Sequence, residues 1–166
     1  MVKHAMALPA GAEQRLKELG IVLPSPPTPL GAYVEAVRSG NLVFLSGMLP
    51  VVDRKPQFIG RVGGELSVED GRKAAATATL NALSAAKALL GSLDHVTAVP
   101  KLGVFIATAG DFRDHPKVAD GASDVLASAF GADRLSSRVV LGVASLPLGM
   151  PIEVEVVLEV EPGSSL

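Results

Sequence analysis

The chain has 166 residues, of which 48% are hydrophobic, and a formal net charge of −2. This length and composition suit one compact domain, with a core of small aliphatic residues because aromatic side chains are scarce. The weakly acidic charge, without any basic block, argues against electrostatic binding of nucleic acid or of an anionic membrane. The absence of cysteine excludes disulfides, thiolate nucleophiles and cysteine metal sites.

Targeting and metal-binding signals are missing from the sequence. No apolar stretch near the N-terminus reaches the length of a signal-peptide core, and no later window is long enough to span a membrane. We therefore expect a cytoplasmic protein with no membrane partner. The three histidines, His4, His95 and His115, lack the spacing of metal ligands, so we expect neither a metal site nor a cofactor.

The N-terminal part is predicted to be a short helix followed by an extended arm. Helix-forming residues occupy positions 12–19, and Gly20 is placed as a C-terminal stop. Four prolines between positions 23 and 29 exclude helix, since each removes a backbone donor and restricts the residue before it. We assign residues 1–30 to this helix and arm, and residues 31–166 to an α+β domain.

The first strands of that domain form a predicted hairpin. Residues 32–37 and 42–46 have strand-like patterns, and the turn signal Ser39-Gly40-Asn41 lies between them. Residues 57–62 are predicted to add a short edge strand before Gly63-Gly64. A mixed pattern of strands and helices follows.

The longest helix is predicted from Ser67 to about Leu90. Ser67 can cap it, Asp70 occupies the capping-box position, and Gly91 ends it. A long strand at residues 96–107 and a second helix at residues 117–130 come next.

The C-terminal region is predicted to be a hairpin of two apolar strands joined by Pro-Leu-Gly-Met-Pro. Arg138 opens the first strand, and the second places Glu153 and Glu155 together on one face. In such a hairpin Arg138 lies far from the turn and Glu153 lies close to it. A site using both would need the curvature of the sheet or a second subunit.

The predicted order is therefore two or three strands, a helix, a strand, a helix and two strands. Both helices can cover one face of a single mixed sheet, which is an α+β layout. The other face would carry Glu153 and Glu155 together with Leu141, Val143 and Val157. We expect that apolar face to contact another subunit.

Several short segments of the chain carry a resemblance to a known family. They are Gly31-Ala32-Tyr33, Leu45-Ser46-Gly47-Met48-Leu49-Pro50, Thr79-Leu80-Asn81-Ala82-Leu83, Val104-Phe105-Ile106, Ser137-Arg138-Val139, Ser145-Leu146-Pro147 and Ile152-Glu153-Val154-Glu155. In order and spacing, from about residue 30 to residue 160, they resemble the RidA or YjgF family of reactive-intermediate (enamine/imine) deaminases.

The resemblance implies a chorismate-mutase-like α+β fold assembled as a homotrimer, with three clefts between neighbouring subunits. It implies that Arg138 holds the carboxylate of a small substrate and that Glu153 helps to position the attacking water. Tyr33, Ser46 and Gly47 would line the same pocket. The implied reaction is hydrolytic and needs no cofactor: a 2-aminoacrylate-type imine or enamine gives a 2-keto acid and ammonia.

Three departures from the family pattern indicate a divergent subgroup that also has an added N-terminal helix. Met48 stands where many members have Gln, Gly110 falls near a missing Asn, and Val140 replaces a common Cys. These positions concern the contacts that select the substrate's side chain. The arginine that would hold the carboxylate is retained.

Each site residue also has a simpler interpretation from the sequence alone. Arg138 could be a surface or interface ion-pair partner, and Glu153 and Glu155 could form the solvated face of an edge strand. Tyr33 could be a packed aromatic residue, and Ser46 lacks the sequence context of a nucleophile. Two other functions stay open: a metabolite-binding or regulatory trimer without turnover, and an endoribonuclease or translation inhibitor, although we do not expect a nucleic-acid partner.

Overall fold

The structure, a computed structural model, describes residues 11–163 of the chain. This part contains three α-helices and seven β-strands. Their bounds are α1 Ala12–Glu18, β1 Ala36–Ser39, β2 Leu42–Leu45, β3 Val51–Val52, β4 Lys55–Pro56, α2 Val68–Leu90, β5 Val96–Ala107, α3 His115–Phe130, β6 Ser137–Val143 and β7 Ile152–Val160. None of these helices has both the length and the apolar character needed to cross a membrane.

Five strands form one mixed sheet in the order β1-β2-β7-β5-β6. Strand β6 runs parallel to β5, and the other pairs are antiparallel. Helices α2 and α3 pack side by side on one face of this sheet, and α1 packs against α3. The predicted α+β class, with a mixed sheet and two helices on one face, is confirmed.

The core lies between the sheet and the two helices. Alternate residues of β5, including Leu102, Val104 and Ile106, are fully buried on the helix side, as the two-residue period of a strand requires. Helix α2 faces them largely with alanines, so the backbones approach closely. At Gly121 of α3 a β-carbon would lie 2.1 Å from the carbonyl oxygen of Arg72 in α2, so only glycine fits at this crossing.

The start of α2 has the predicted capping box. The Ser67 hydroxyl accepts a hydrogen bond from the Asp70 amide, and the Asp70 carboxylate accepts one from the Ser67 amide. Replacing Ser67 by alanine should lower the free energy of unfolding by about 1 kcal/mol. Urea denaturation at matched protein concentration measures this. Ser128→Ala, which removes a hydroxyl that donates to the Asp124 carbonyl within α3 and caps no helix end, is the control and should change stability little.

Several predicted boundaries hold and one strand was placed wrongly. The first hairpin, the long strand β5, the end of α2 at Gly91 and the end of α3 at residue 130 are confirmed, although β1 begins at Ala36 and α3 begins at His115. The predicted edge strand at residues 57–62 was wrong. The extra strands are β3 and β4, which form a separate ribbon around a turn at Asp53 and Arg54, two non-glycine residues with positive φ.

The predicted C-terminal hairpin was also wrong. Strands β6 and β7 do not pair with each other, because β5 lies between them and bonds to both. Helix α3 supplies the crossover that a parallel pair needs, so β6 joins β5 from the far edge. The segment between β6 and β7, which includes a 3₁₀ turn at Pro147–Gly149, therefore connects strands that are not neighbours.

No helix or strand of residues 11–163 covers the sheet face opposite the helices. Val37, Phe44, Val139 and Leu141 each expose 44–52% of their surface. Glu153 and Glu155 lie on the same face, as the strand period predicts. Helix α1 adds Ala12 and Leu16 to the common core, and the division of the chain at residue 30 stays a prediction.

Candidate active site

Glu153 and Gly47 form the closest contact among the predicted site residues. A β-carbon built on Gly47 would lie 1.8 Å from Oε1 of Glu153, so the carboxylate rests directly against the glycine backbone. The neighbouring residue Met48 fixes this geometry, because its amide and carbonyl both bond to Val154 of β7. The end of strand β2 is thereby held beside the start of β7.

The Glu153 carboxylate has no charged or hydrogen-bonding partner among residues 11–163. Glu153 is half-buried on the uncovered face, and burial raises the pKa of its carboxyl above the ordinary value. Glu155, two residues along the same strand, instead has Lys101 Nζ at 3.3 Å from its Oε1. The two glutamates therefore differ: Glu153 is suited to accept a proton, and Glu155 is a surface ion-pair residue.

The contact between Gly47 and Glu153 is testable by adding one methyl group. In Gly47→Ala the new β-carbon must displace the carboxylate, and a displacement of about 1 Å can lower a catalysed rate by up to about a hundredfold. For the deaminase activity that the family resemblance implies, we expect this loss in an ammonia-release assay, with the circular dichroism spectrum unchanged. Gly103→Ala is the matched control, since its β-carbon would lie on the same face 3.3 Å from Glu155 Oε2.

Ser46 and Tyr33 have structural contacts beside this pair. The Ser46 hydroxyl donates to the carbonyl oxygen of Val34 at 2.6 Å, and the Ser46 amide donates to the backbone carbonyl oxygen of Glu35. The Tyr33 hydroxyl accepts a hydrogen bond from the Leu30 amide at 3.1 Å, and 47% of the residue is exposed. Ser46 thus ties the end of β2 to the segment before β1, with its hydroxyl proton already in use.

A cavity of about 350 Å³ lies next to Gly47, beneath the proline-rich arm. Its lining comes from the arm, the end of β2, the β3–β4 ribbon and α2. The lining residues are Pro24, Ser25, Pro26, Pro27, Thr28, Pro29, Leu30, Tyr33, Glu35, Gly47, Met48, Leu49, Val51, Asp53, Arg54, Pro56, Asn81 and Leu148. Tyr33 and Gly47 are therefore brought together at this cavity, whereas Ser46, Glu153 and Arg138 are not part of its wall.

Arg138 lies at the other edge of the sheet. Its Nη1 donates to Asp120 Oδ1 at 2.8 Å and to Ser123 Oγ at 2.9 Å, both on α3. Nη2 and Nε donate to no residue within the described range, and the side chain is 25% exposed. The guanidinium is thus held by one nitrogen and keeps donors for a ligand.

Arg138 and Glu153 do not meet within one chain. Arg138 is in register with Leu102 on the helix side, and Glu153 is in register with Phe105 on the opposite face. They lie two strands and three residues apart, which corresponds to about 14 Å between Cα atoms. The sequence-based expectation that the two would not meet in a hairpin was right about their separation but relied on the wrong strand pairing.

Some residues that shape the site were not found from the sequence. Asp120 and Ser123 were missed, although their i, i+3 spacing on a helix predicted to cover the sheet is a usable signal. Asn81 lies in one of the segments that carry the family resemblance, but no role was predicted for it. Its amide donates to the carbonyls of Leu49 and Val51, both at 2.8 Å. The cavity itself could not be predicted, because it depends on where the arm folds back.

The residues described contain no group of three or more His, Cys, Asp or Glu side chains that could hold a metal ion. His95 Nδ1 lies 3.9 Å from Glu161 Oε2, and the ring of His115 packs edge-on against the ring of Phe112. His4 lies outside the described residues. The candidate site therefore consists of one glutamate, one arginine and the cavity beside Gly47.

The fold and these residues agree with a family comparison. The model of the family described as "YjgF/chorismate mutase-like, putative endoribonuclease" matches residues 13–160. The chain therefore belongs to the YjgF family, to which the RidA deaminases also belong. The fold is accordingly of the chorismate-mutase-like type.

Individual relatives cover most of the chain. Protein TCP17 of Trypanosoma cruzi is 39% identical over 145 residues, which are 87% of this chain and 91% of that protein. A 2-iminobutanoate/2-iminopropanoate deaminase of Dermatophagoides farinae is 28% identical, covering 85% of this chain and 95% of its own. The crystal structure of Atu1372 from Agrobacterium tumefaciens, a protein of unknown function, superposes with a TM-score of 0.83 at 35% identity, covering 90% and 92% of the two chains.

Proposed function

We propose that this protein is a cofactor-free hydrolytic deaminase of 2-imino acids and their enamine tautomers. The observation that carries the proposal is the half-buried Glu153 carboxylate, which has no hydrogen-bond partner among residues 11–163 and lies against Gly47, a residue that also lines a cavity. A relative named as a 2-iminobutanoate/2-iminopropanoate deaminase gives independent support.

The reaction requires little apparatus. Water adds to the electrophilic carbon of the N-protonated C=N bond while Glu153 accepts one of its protons, which gives a neutral tetrahedral amino alcohol. The protonated Glu153 then returns its proton to nitrogen, the C–N bond breaks, and the hydroxyl proton passes back to the Glu153 carboxylate as the C=O bond forms. Ammonia and the 2-keto acid are the products. A carboxylate in this role typically contributes 10²–10⁴ in rate, and its raised pKa keeps it a better proton acceptor than an ordinary glutamate.

In this proposal, Arg138 of a neighbouring subunit holds the substrate carboxylate. Its free Nη2 and Nε can form two parallel hydrogen bonds to a carboxylate, and Asp120 and Ser123 fix the plane of the guanidinium. Because Arg138 and Glu153 of one chain lie on opposite faces, a shared cleft needs two chains. We propose a homotrimer with three such clefts.

The uncovered sheet face supports assembly. Phe44 and Val37 lie on one side of the glutamates and Leu141 and Val139 on the other, all substantially exposed. An apolar face of this kind on a small domain is typical of a subunit interface. Light scattering combined with size exclusion tests the trimer directly, and a monomer at micromolar concentration would contradict it.

The activity is tested by ammonia release. 2-Aminoacrylate can be generated in the assay by a dehydratase acting on serine, and hydrolysis is followed against the buffer-catalysed rate. We expect catalysed release by the wild-type protein and by Glu155→Gln, because Glu155 is a surface ion-pair residue. A rate equal to the buffer rate with a folded trimer would contradict the proposed function.

A second candidate is a metabolite-binding or regulatory trimer that has lost turnover. Its support is specific: Met48 turns its side chain into the core, and Gly110 leaves open space where many members have an amide. Such a protein would bind a 2-keto acid with the same affinity as an active enzyme but would release no ammonia. Calorimetry beside the ammonia assay distinguishes the two.

The family description also includes the word endoribonuclease, which motivates one check. The two histidines within residues 11–163 have separate structural contacts, with Glu161 and with Phe112, and no basic surface with interleaved aromatic residues is evident from the composition. We expect no RNA cleavage after gel filtration. Cleavage that persists and is lost on replacing Arg138 or Glu153 would favour the ribonuclease instead.

A further inference from the structure

The walls of the cavity beside Gly47 are mainly apolar and are held rigidly. The deepest lining residues, Met48 and Leu49, are buried, and four prolines of the arm form the opposite wall. Of the charged lining residues, Asp53 and Arg54 lie at the exposed rim and Glu35 is half-buried. The interior is therefore mainly apolar, with a partly buried carboxylate at Glu35.

Helix α2 braces both walls with two of its buried polar side chains. Asn81 donates to the carbonyls of Leu49 and Val51, which fixes the wall formed by the end of β2 and by β3. Ser84, three residues later on the same helix face, donates to the carbonyl of Pro24 at 2.6 Å and fixes the arm. These hydrogen bonds hold both walls in place, so the cavity is preformed.

The volume is large for the smallest substrates of the proposed reaction. A cavity of 300 Å³ or more is in the range of pockets that hold ligands well above the size of a three-carbon acid. A methyl side chain would leave most of the 350 Å³ unfilled, so most of the cavity wall would make no contact with the substrate. A side chain of four or more carbons would bury apolar surface on both walls.

Resting on the proposed function, we propose that this cavity receives the side chain of the substrate and selects 2-imino acids with apolar side chains of four or more carbons. Gly47 links the two parts of the site, because it lines the cavity and also lies against the Glu153 carboxylate. A substrate whose imine carbon lies at Gly47 can place its side chain beneath the arm.

The experiment compares the imines that an L-amino-acid oxidase produces in the assay from alanine and from leucine. We expect kcat/KM for ammonia release to be about ten- to fiftyfold higher for the leucine-derived imine than for the alanine-derived imine, from the methylene groups buried. Equal values, or a preference for the alanine-derived imine, would overturn this inference while leaving the deaminase activity in place.

Two variants test whether the cavity is responsible. Val51→Phe replaces a lining side chain by a larger aromatic one that fills part of the cavity. It should lower the ratio of kcat/KM for the leucine-derived imine to kcat/KM for the alanine-derived imine. Val52→Phe, the next residue of the same short strand, is not part of the lining and should leave that ratio unchanged. Equal ratios in Val51→Phe and in the wild-type protein would contradict the role of the cavity.

The inference remains testable even if no imine is hydrolysed, an outcome that rejects the proposed function. Calorimetry then compares pyruvate with 4-methyl-2-oxopentanoate, the 2-keto acids with the alanine and leucine side chains. Tighter binding of the longer acid, weakened in Val51→Phe but not in Val52→Phe, supports the cavity as a side-chain site. Equal affinities overturn it.

Discussion

Replacing Arg138 by alanine is expected to lower kcat/KM for ammonia release by about ten- to a hundredfold or more, while the protein stays folded and keeps the oligomeric state of the wild type. The reason is the loss of charge-assisted hydrogen bonds to the substrate carboxylate, which are worth about 1.5–3 kcal/mol. Stability should change little, because the Asp120 carboxylate left behind is 45% exposed and can be solvated. Steady-state kinetics with a 2-aminoacrylate source measures the effect.

Arg72→Ala is the matched control for this variant. It also removes an arginine that pairs with an aspartate of α3, in that case Asp124, but it does so on the exposed surface of the helix layer. We expect wild-type kcat/KM in Arg72→Ala. Unchanged turnover in a folded Arg138→Ala trimer would show that the carboxylate is held elsewhere.

Replacing Glu153 by glutamine is expected to have opposite effects on activity and stability. Turnover should fall by about 10²–10⁴, because the glutamine amide cannot accept the proton of the attacking water. In the wild-type protein, kcat/KM should rise with pH through a pKa above that of an ordinary glutamate, since burial raises the pKa of Glu153. The variant should lack this pH dependence.

The stability effect follows from the same raised pKa. The folded protein binds the Glu153 proton more tightly than the unfolded chain, so this group favours folding most below the ordinary glutamate pKa. That contribution is lost as the pH rises through the raised pKa, where a charged carboxylate must remain partly desolvated. Glutamine mimics the protonated form, so Glu153→Gln should be more stable than the wild-type protein at pH 7 and equally stable in acid.

Glu155→Gln is the control for both measurements. It lies two residues away on the same strand face, but its carboxylate is paired with Lys101 near the surface. We expect nearly wild-type turnover and a small loss of stability at most. A Glu153→Gln variant that is less stable than the wild-type protein at pH 7, or that retains full turnover, would contradict the role assigned to Glu153.

The elements that depend on local signals could be predicted from the sequence. The Ser67 capping box, the end of α2 at Gly91 and the long apolar strand β5 each depend on residues within a few positions of one another. The placement of Glu153 and Glu155 on one face followed from the strand period alone. These predictions held because no distant contact competes with the local preference.

The errors concern which distant segments meet. Strands β6 and β7 are close in sequence and separated by turn residues, so a hairpin was the simplest interpretation. Instead, the two strands pair with opposite sides of β5. The partners of Arg138 on α3 depend on the same parallel pairing. The cavity depends on a hydrogen bond from Ser84 to Pro24, sixty positions apart, which no local pattern encodes.

The central claim is that each active site combines Glu153 of one subunit with Arg138 of another. Co-expression of Arg138→Ala and Glu153→Gln subunits with different affinity tags, followed by purification on both tags, gives mixed trimers of two nearly inactive chains. If the cleft is shared, each mixed trimer restores both native groups in one of its three clefts, and ammonia release returns to about one third of the wild-type rate. Mixed trimers no more active than either variant alone would contradict the account.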